Sequence, residues 1–322
     1  MPKNGKTQKS TRQTNVATQT VTTPSLPDIS DQFKRAWELY KLHLLDFFKV
    51  WLLGVAILIT LLLGLGLVVA IIYGAWLIQA VKIIPPLWLV VLGGVIFLAY
   101  LLVATMVNLG LQATFITLAS NKTKKREDVF KTFKKGLRFA PYLLVLSFIQ
   151  LFFFGSFWML IVPWIFIIFL TAFAQYEVVL NQQKPWQAVK NSFSLVSQFA
   201  GGVVGRLILL GLGSGIITSL YQQLAVGIMS QTDSPSLALF HLVAQPVFNV
   251  LVSWFVLTFS LTLYQDVKSK AKVKKQVSTR WAVVLSVVGW LFFIVTGYFV
   301  VTALITHWHN LLNTIQQLVS VF

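Results

Sequence analysis

Seven stretches of this chain, at about 50–81, 87–119, 140–160, 163–181, 200–229, 237–265 and 281–304, are apolar over nearly or more than the ~20 residues a helix needs to cross hydrocarbon. Lipid offers no water to a free N–H or C=O, so each run must close its backbone hydrogen bonds as a helix or within a sealed barrel. None alternates with period two as a barrel strand does, which leaves helices. A chain that is 57% hydrophobic and 11% charged over 322 residues also has too little polar surface to cover a soluble globule. The expected fold class is therefore all-α, a multi-pass transmembrane helical bundle. The first, second, fifth and sixth runs are long enough that they must tilt or project beyond the bilayer.

The formal charge of +17 does not point to nucleic acid, because the basic residues sit in short blocks beside apolar runs, where anionic lipid headgroups lie. Lys34, Arg35, Lys41 and Lys49 precede the first run; a second block from Lys122 to Arg138 separates the second and third. Lys184 and Lys190 lie between the fourth and fifth, and a further block from Lys268 to Arg280 between the sixth and seventh. The alternate connections hold little charge: Lys82 in one and Asp233 in another. The positive-inside rule then predicts a cell-membrane protein with a cytoplasmic N-terminus and an outer C-terminus. Residues 1–28 read as a disordered basic cytoplasmic tail, 29–280 as a six-span membrane domain, and 281–322 as a seventh span followed by an amphipathic helix on the outer face. No secretory signal is expected, since the first apolar run begins far from the basic start. The absence of cysteine excludes disulfides and thiolate metal sites.

Amphipathic stretches precede two of the long hairpins. In 29–51 the residues Phe33, Ala36, Trp37, Tyr40, Leu44, Phe47 and Phe48 share a face, and in 184–202 so do Trp186, Val189, Phe193, Val196 and Ala200. A shift of 156 positions lays Lys34, Ala36, Trp37 and Leu39 on Lys190, Ser192, Phe193 and Leu195. An even number of spans separates the units, so the expected architecture has two parallel amphipathic-helix-plus-hairpin repeats around a shorter central hairpin. In 161–196, Pro163 opens a span, Glu177 and Val178 close it, and Ala188, Lys190, Ser192, Phe193 and Leu195 follow as an Ala, a base, a small residue, an aromatic and a Leu. On these residues the chain resembles the six-helix membrane domain found beside some glycerophosphodiester phosphodiesterases and related bacterial inner-membrane proteins, over roughly residues 30–275. The resemblance implies a shared six-helix core, to which this chain adds a seventh span.

No catalytic, cofactor or metal site is expected. The nine acidic residues are scattered, no His adjoins an Arg, and His307 and His309 diverge by roughly 200° on a helix. Arg206 is the one basic residue inside a span, and Arg is suited to bidentate contact with a lipid phosphate or a carboxylate. We therefore take Arg206, with Lys134, Lys135 and Arg138 of the basic block, as candidate lipid-phosphate contacts, and Arg206–Glu177 as a candidate ion pair. Glu177 should lie near water at a span end. Gly201, Gly205, Gly211 and Gly215 lie within about 120° on a wheel and predict a close helix seam. Gln79, Asn108, Gln112, Gln150, Gln175, His241, Gln245 and Asn249 are expected to form helix-to-helix hydrogen bonds, and Pro246 to kink its span. The leading function is a non-enzymatic membrane-organising module that binds membrane lipids, a protein partner or a second copy of itself; the alternative is a transporter or channel component.

Overall fold

The structure, a computed structural model, describes residues 26–79, 87–121, 128–159, 161–231, 235–271 and 277–319. Most of the tail expected at 1–28, with Lys82, Lys122, Lys124, Lys125, Arg126, Asp233, Lys272, Lys274 and Lys275, lies outside them. The described residues form ten α-helices: α1 (Ile29–Gln79), α2 (Leu87–Ser120), α3 (Val129–Leu137), α4 (Ala140–Phe154), α5 (Ile161–Thr171), α6 (Ala174–Asn181), α7 (Pro185–Gln198), α8 (Ala200–Gln231), α9 (Pro235–Lys270) and α10 (Arg280–Val319). A 3₁₀ turn, Gly155–Trp158, extends α4. Seven helical segments are long and apolar enough to span a bilayer, with α4 plus its turn counting as one and α5 plus α6 as another. The protein is an all-α, multi-pass membrane bundle.

Several boundaries differ from those expected. The first amphipathic stretch is no separate helix: α1 runs unbroken for 51 residues, about 76 Å at a rise of roughly 1.5 Å. Its second counterpart, α7, does stop, at Phe199 (φ −130°, ψ 29°), before α8 begins. The basic block between the second and third spans contains a short helix, α3, capped by the Asp128 carboxylate, which accepts from the Phe130 N–H at 3.1 Å. Thr132, Phe133 and Gly136 bury one face of α3, while Lys134, Lys135 and Arg138 lie exposed on the other. At the C-terminus α10 continues to Val319 without a break, so the expected outer helix prolongs the span instead of lying across the membrane surface. α9 likewise runs through Pro246, whose missing N–H deprives the Leu242 carbonyl of its helical donor.

The core gathers at the end of the bundle where α3 and α7 lie, here called the basic end. Phe47, Phe115 and Trp254 form an aromatic trio joining α1, α2 and α9, with ring centroids 5.5–5.6 Å apart. Towards the opposite end α1 and α2 expose large apolar side chains such as Leu63 and Leu98, as lipid-facing helices do. The close glycine contacts are not where the sequence pattern placed them. A Cβ at Gly289 would lie 1.9 Å from the Gly155 carbonyl oxygen, and one at Gly136 would lie 2.6 Å from that of Gly110. These crossings dock α10 on the turn after α4, and α3 on α2. Gly201, Gly205, Gly211 and Gly215 meet nothing within 4 Å, so the seam expected of them is absent among the described residues. Their stretch of α8 leans away from its neighbours: α8 packs chiefly on α9, with small contacts to α5 and α7.

Candidate functional site

The splayed position of α8 leaves a cavity on each side of it. The first, of about 480 Å³, is bounded by the early part of α1 (Ile29, Phe33, Trp37, Tyr40), by α8 (Leu209, Gly213, Ile217) and by α9 (Phe248, Phe255, Phe259). Its wall is apolar and aromatic except for Arg206 and Ser214. Arg206 Nη2 donates to the carbonyl of Pro27, and the same stretch of chain covers Gly202 with Leu26. Nη1 of Arg206 is buried and has no hydrogen-bond partner among the described residues. A guanidinium with an unused N–H group beside a desolvated apolar wall is an incomplete arrangement, because a buried unsatisfied donor costs roughly 1–3 kcal/mol, more when charged.

The second cavity, about 990 Å³, lies among α1, α2, α6, α8 and α9. Asn108, Gln112, Gln175 and Asn249 line it, with Ser and Thr side chains of α8 and α9. Of the polar residues expected to bond helix to helix, Gln112 and Gln175 do so, Nε2 donating to Oε1 at 2.5 Å. Asn108 and Asn249 instead line the void, and the Asn249 Oδ1 is buried without a partner among the described residues. Gln175 also lines a third cavity of about 530 Å³ with Ser147 and Gln150, so the amide pair partitions the two. His241 stacks on Tyr221 at 5.9 Å, and the side chain of Gln79 lies outside the described residues.

Beside this partition the fourth span is broken between α5 and α6. Ser192 of α7 bridges the break: its Oγ donates to the Leu170 carbonyl at 2.6 Å and accepts from the Phe173 N–H at 3.1 Å. Both are groups that a helix end leaves without intrahelical partners. Interrupted spans are tolerated in membranes only where protein or water re-satisfies the backbone, as Ser192 does here.

Glu177 does not pair with Arg206 and is not near water: it is 2% exposed. Its carboxylate accepts from Tyr264 Oη at 2.8 Å and Asn181 Nδ2 at 3.0 Å, with Lys268 Nζ 3.7 Å away. Tyr264 and Lys268 are four apart on α9 and both reach Glu177 of α6, whereas Arg206 is on α8 and bonds to Pro27. On another face of α9, Asp266 receives a bidentate pair from Arg35 of α1 at 2.9 and 2.7 Å. These two clusters fasten α9 to the central hairpin and to the first repeat. The Asp266–Arg35 pair was missed in the sequence, where Arg35 reads only as one more base in a block. Lys134 and Lys135 sit on α3 and Arg138 just after it, and α3 packs on α2, α1 and α4, so the structure distributes the candidate phosphate contacts over elements with different neighbours.

Comparison with protein-family models, with curated proteins and with solved structures gives no match to this chain.

Proposed function

We propose that this membrane protein binds a phospholipid, seating acyl chain in the apolar cavity beside α8 and phosphate against Arg206. The observation that carries the reading is the bare, buried Nη1 of Arg206 in an otherwise apolar, aromatic wall. That combination complements a molecule with an anionic oxygen at one end and hydrocarbon at the other. A phosphate oxygen would supply the missing acceptor through a charge-assisted bond. The exposed Lys134, Lys135 and Arg138 of α3 add attraction to an anionic leaflet, each worth about 1 kcal/mol near such a surface. In this reading the basic end faces the cytoplasm of a cell and the chain does no chemistry on the lipid.

Native mass spectrometry of the full chain released from membranes tests it. The wild-type protein should retain phosphatidylglycerol, Arg206→Gln should lose roughly tenfold in occupancy, matching about 1.4 kcal/mol for one charged hydrogen bond, and the triple change Lys134→Gln, Lys135→Gln, Arg138→Gln should alter it less. Undiminished retention in Arg206→Gln would overturn the reading. Orientation is checked by modifying Lys131→Cys, on exposed α3, with an impermeant thiol reagent. Labelling of intact cells would reverse the topology.

A further inference from the structure

We infer that the 990 Å³ cavity, which meets the first at Ser214 and Val252, is a second site, for a small uncharged solute rich in hydroxyl groups, of the polyol class. The lining decides against other occupants. Its described residues include no Asp, Glu, Lys, Arg or His, so an ion entering it would shed water without meeting an opposite charge. An acyl chain is equally ill matched, because it would strip water from the Asn, Gln, Ser and Thr groups of the wall and return no hydrogen bond. The first cavity, apolar apart from Arg206 and Ser214, is the one suited to hydrocarbon.

The hydrogen bonds within the wall show which of its groups are left for a ligand. Ser214 donates to the Gly211 carbonyl at 3.0 Å, Thr218 to that of Ser214 at 2.8 Å, and Ser253 to that of Asn249 at 2.8 Å. Each hydroxyl hydrogen is thus committed to its own helix, and what remains on each oxygen is acceptor capacity. Asn249 adds a carbonyl oxygen, buried and unpartnered. Gln112, whose Nε2 is used in the bond to Gln175, keeps its own Oε1 as an acceptor. The amide N–H groups of Asn108, Asn249 and Gln175 add donors to these acceptors, so the wall offers both and suits a ligand whose hydroxyls donate and accept. Aromatic surface from Trp51 and Trp254 completes the wall, offering apolar faces to the C–H side of such a molecule. Gly211 and Gly215, which fail to form a helix seam, line this space, where the lack of a side chain enlarges it.

The chain has no cysteine, so single thiols report on the site directly. Asn249→Cys and Ser253→Cys in full-length protein in nanodiscs are treated with iodoacetamide, with and without xylitol. Leu212→Cys, on the lipid-facing side of α8, and Lys131→Cys, on exposed α3, serve as controls. A thiolate forms only where water reaches the sulfur, so the cavity cysteines should react at least about tenfold faster than Leu212→Cys. Near-saturating xylitol should slow Ser253→Cys about tenfold by mass action and leave Lys131→Cys unchanged. Adding Asn249→Leu to Ser253→Cys should abolish that protection. Cavity thiols as inert as Leu212→Cys, or protection absent or equal at Lys131→Cys, would overturn the inference. Because Arg206 is untouched, phosphatidylglycerol retention in the same variants separates failure here from failure of the lipid reading.

Discussion

The two repeat units begin alike and end differently. Shifted by 156 positions, four buried residues of one fall on buried residues of the other: Gln32 on Ala188, Ala36 on Ser192, Tyr40 on Val196 and Phe47 on Val203. One helical step later the register carries a buried Val50 in the first unit and Arg206 in the second. The break falls close by. Where α1 continues through His43-Leu44-Leu45-Asp46, the second unit has Phe199-Ala200-Gly201-Gly202, and two glycines in succession weaken a helix by roughly 1 kcal/mol each. The first hairpin closes: a Cβ at Gly54 would lie 2.4 Å from Leu111 of α2. The second stays open, with Val203 the one buried residue of α8 among those described. A shared interfacial register can thus build a core in one copy and hold two cavities open in the other.

The contrast in glycine environment can be broken most forcefully. Gly136→Val would drive a side chain into Thr114 Oγ1 and the Gly110 carbonyl, at 2.1 and 2.6 Å from the new Cβ, and should cost about 3 kcal/mol or prevent folding. Gly205→Val, facing open space, should stay within about 0.5 kcal/mol of wild type. Equal losses in SDS-induced unfolding would erase the difference between closed and open units. The next effect lies at the fastening of α9. Glu177→Ala leaves the Tyr264 hydroxyl and Asn181 amide without their shared acceptor and should cost about 2–3 kcal/mol. Asp266→Ala frees Arg35, whose side chain is 46% exposed and can turn to water, so about 1 kcal/mol is expected. A larger loss at Asp266 would mean that the first repeat, and not the central hairpin, anchors α9. The smallest effect sharpens the comparison of helix continuity. Gly201→Ala should stabilise the start of α8 by up to about 1 kcal/mol, and Leu45→Gly should weaken α1 by a similar amount. Hydrogen exchange at amides 43–47 and 199–203 would show whether the two stretches become more alike.

Much of the fold was legible in the chain because bilayer solvation acts locally. Twenty apolar residues in a row have few alternatives to a spanning helix, and the helices Leu87–Ser120, Ala200–Gln231 and Pro235–Lys270 follow those runs closely. The site was legible only in part. Arg206 stood out because a base within hydrocarbon is rare; its Nη1 is one of several buried polar atoms, with those of Gln32, His43, His241 and Asn249, that lack a hydrogen-bond partner among the described residues. Glu177 was misread because nearness to a span end was taken as nearness to water, whereas Tyr264 and Lys268 of α9 and Asn181 of its own helix gather round its carboxylate. The glycines of α8 were misread because a wheel shows which residues share a face but not whether a neighbour occupies it.

By itself the sequence determined the solvent of this protein, its helical spans, the clustering of its basic residues and the outline of a repeat, since each follows from side chains within a few turns of one another. Tertiary structure alone decided that α8 stands apart, that Asp266 meets Arg35 from 231 positions away, and that Asn108, Gln112, Gln175 and Asn249 surround one space. Those outcomes depend on which faces of distant helices touch, and a hydrogen bond's few-ångström reach makes that a question of packing geometry, which no local pattern encodes.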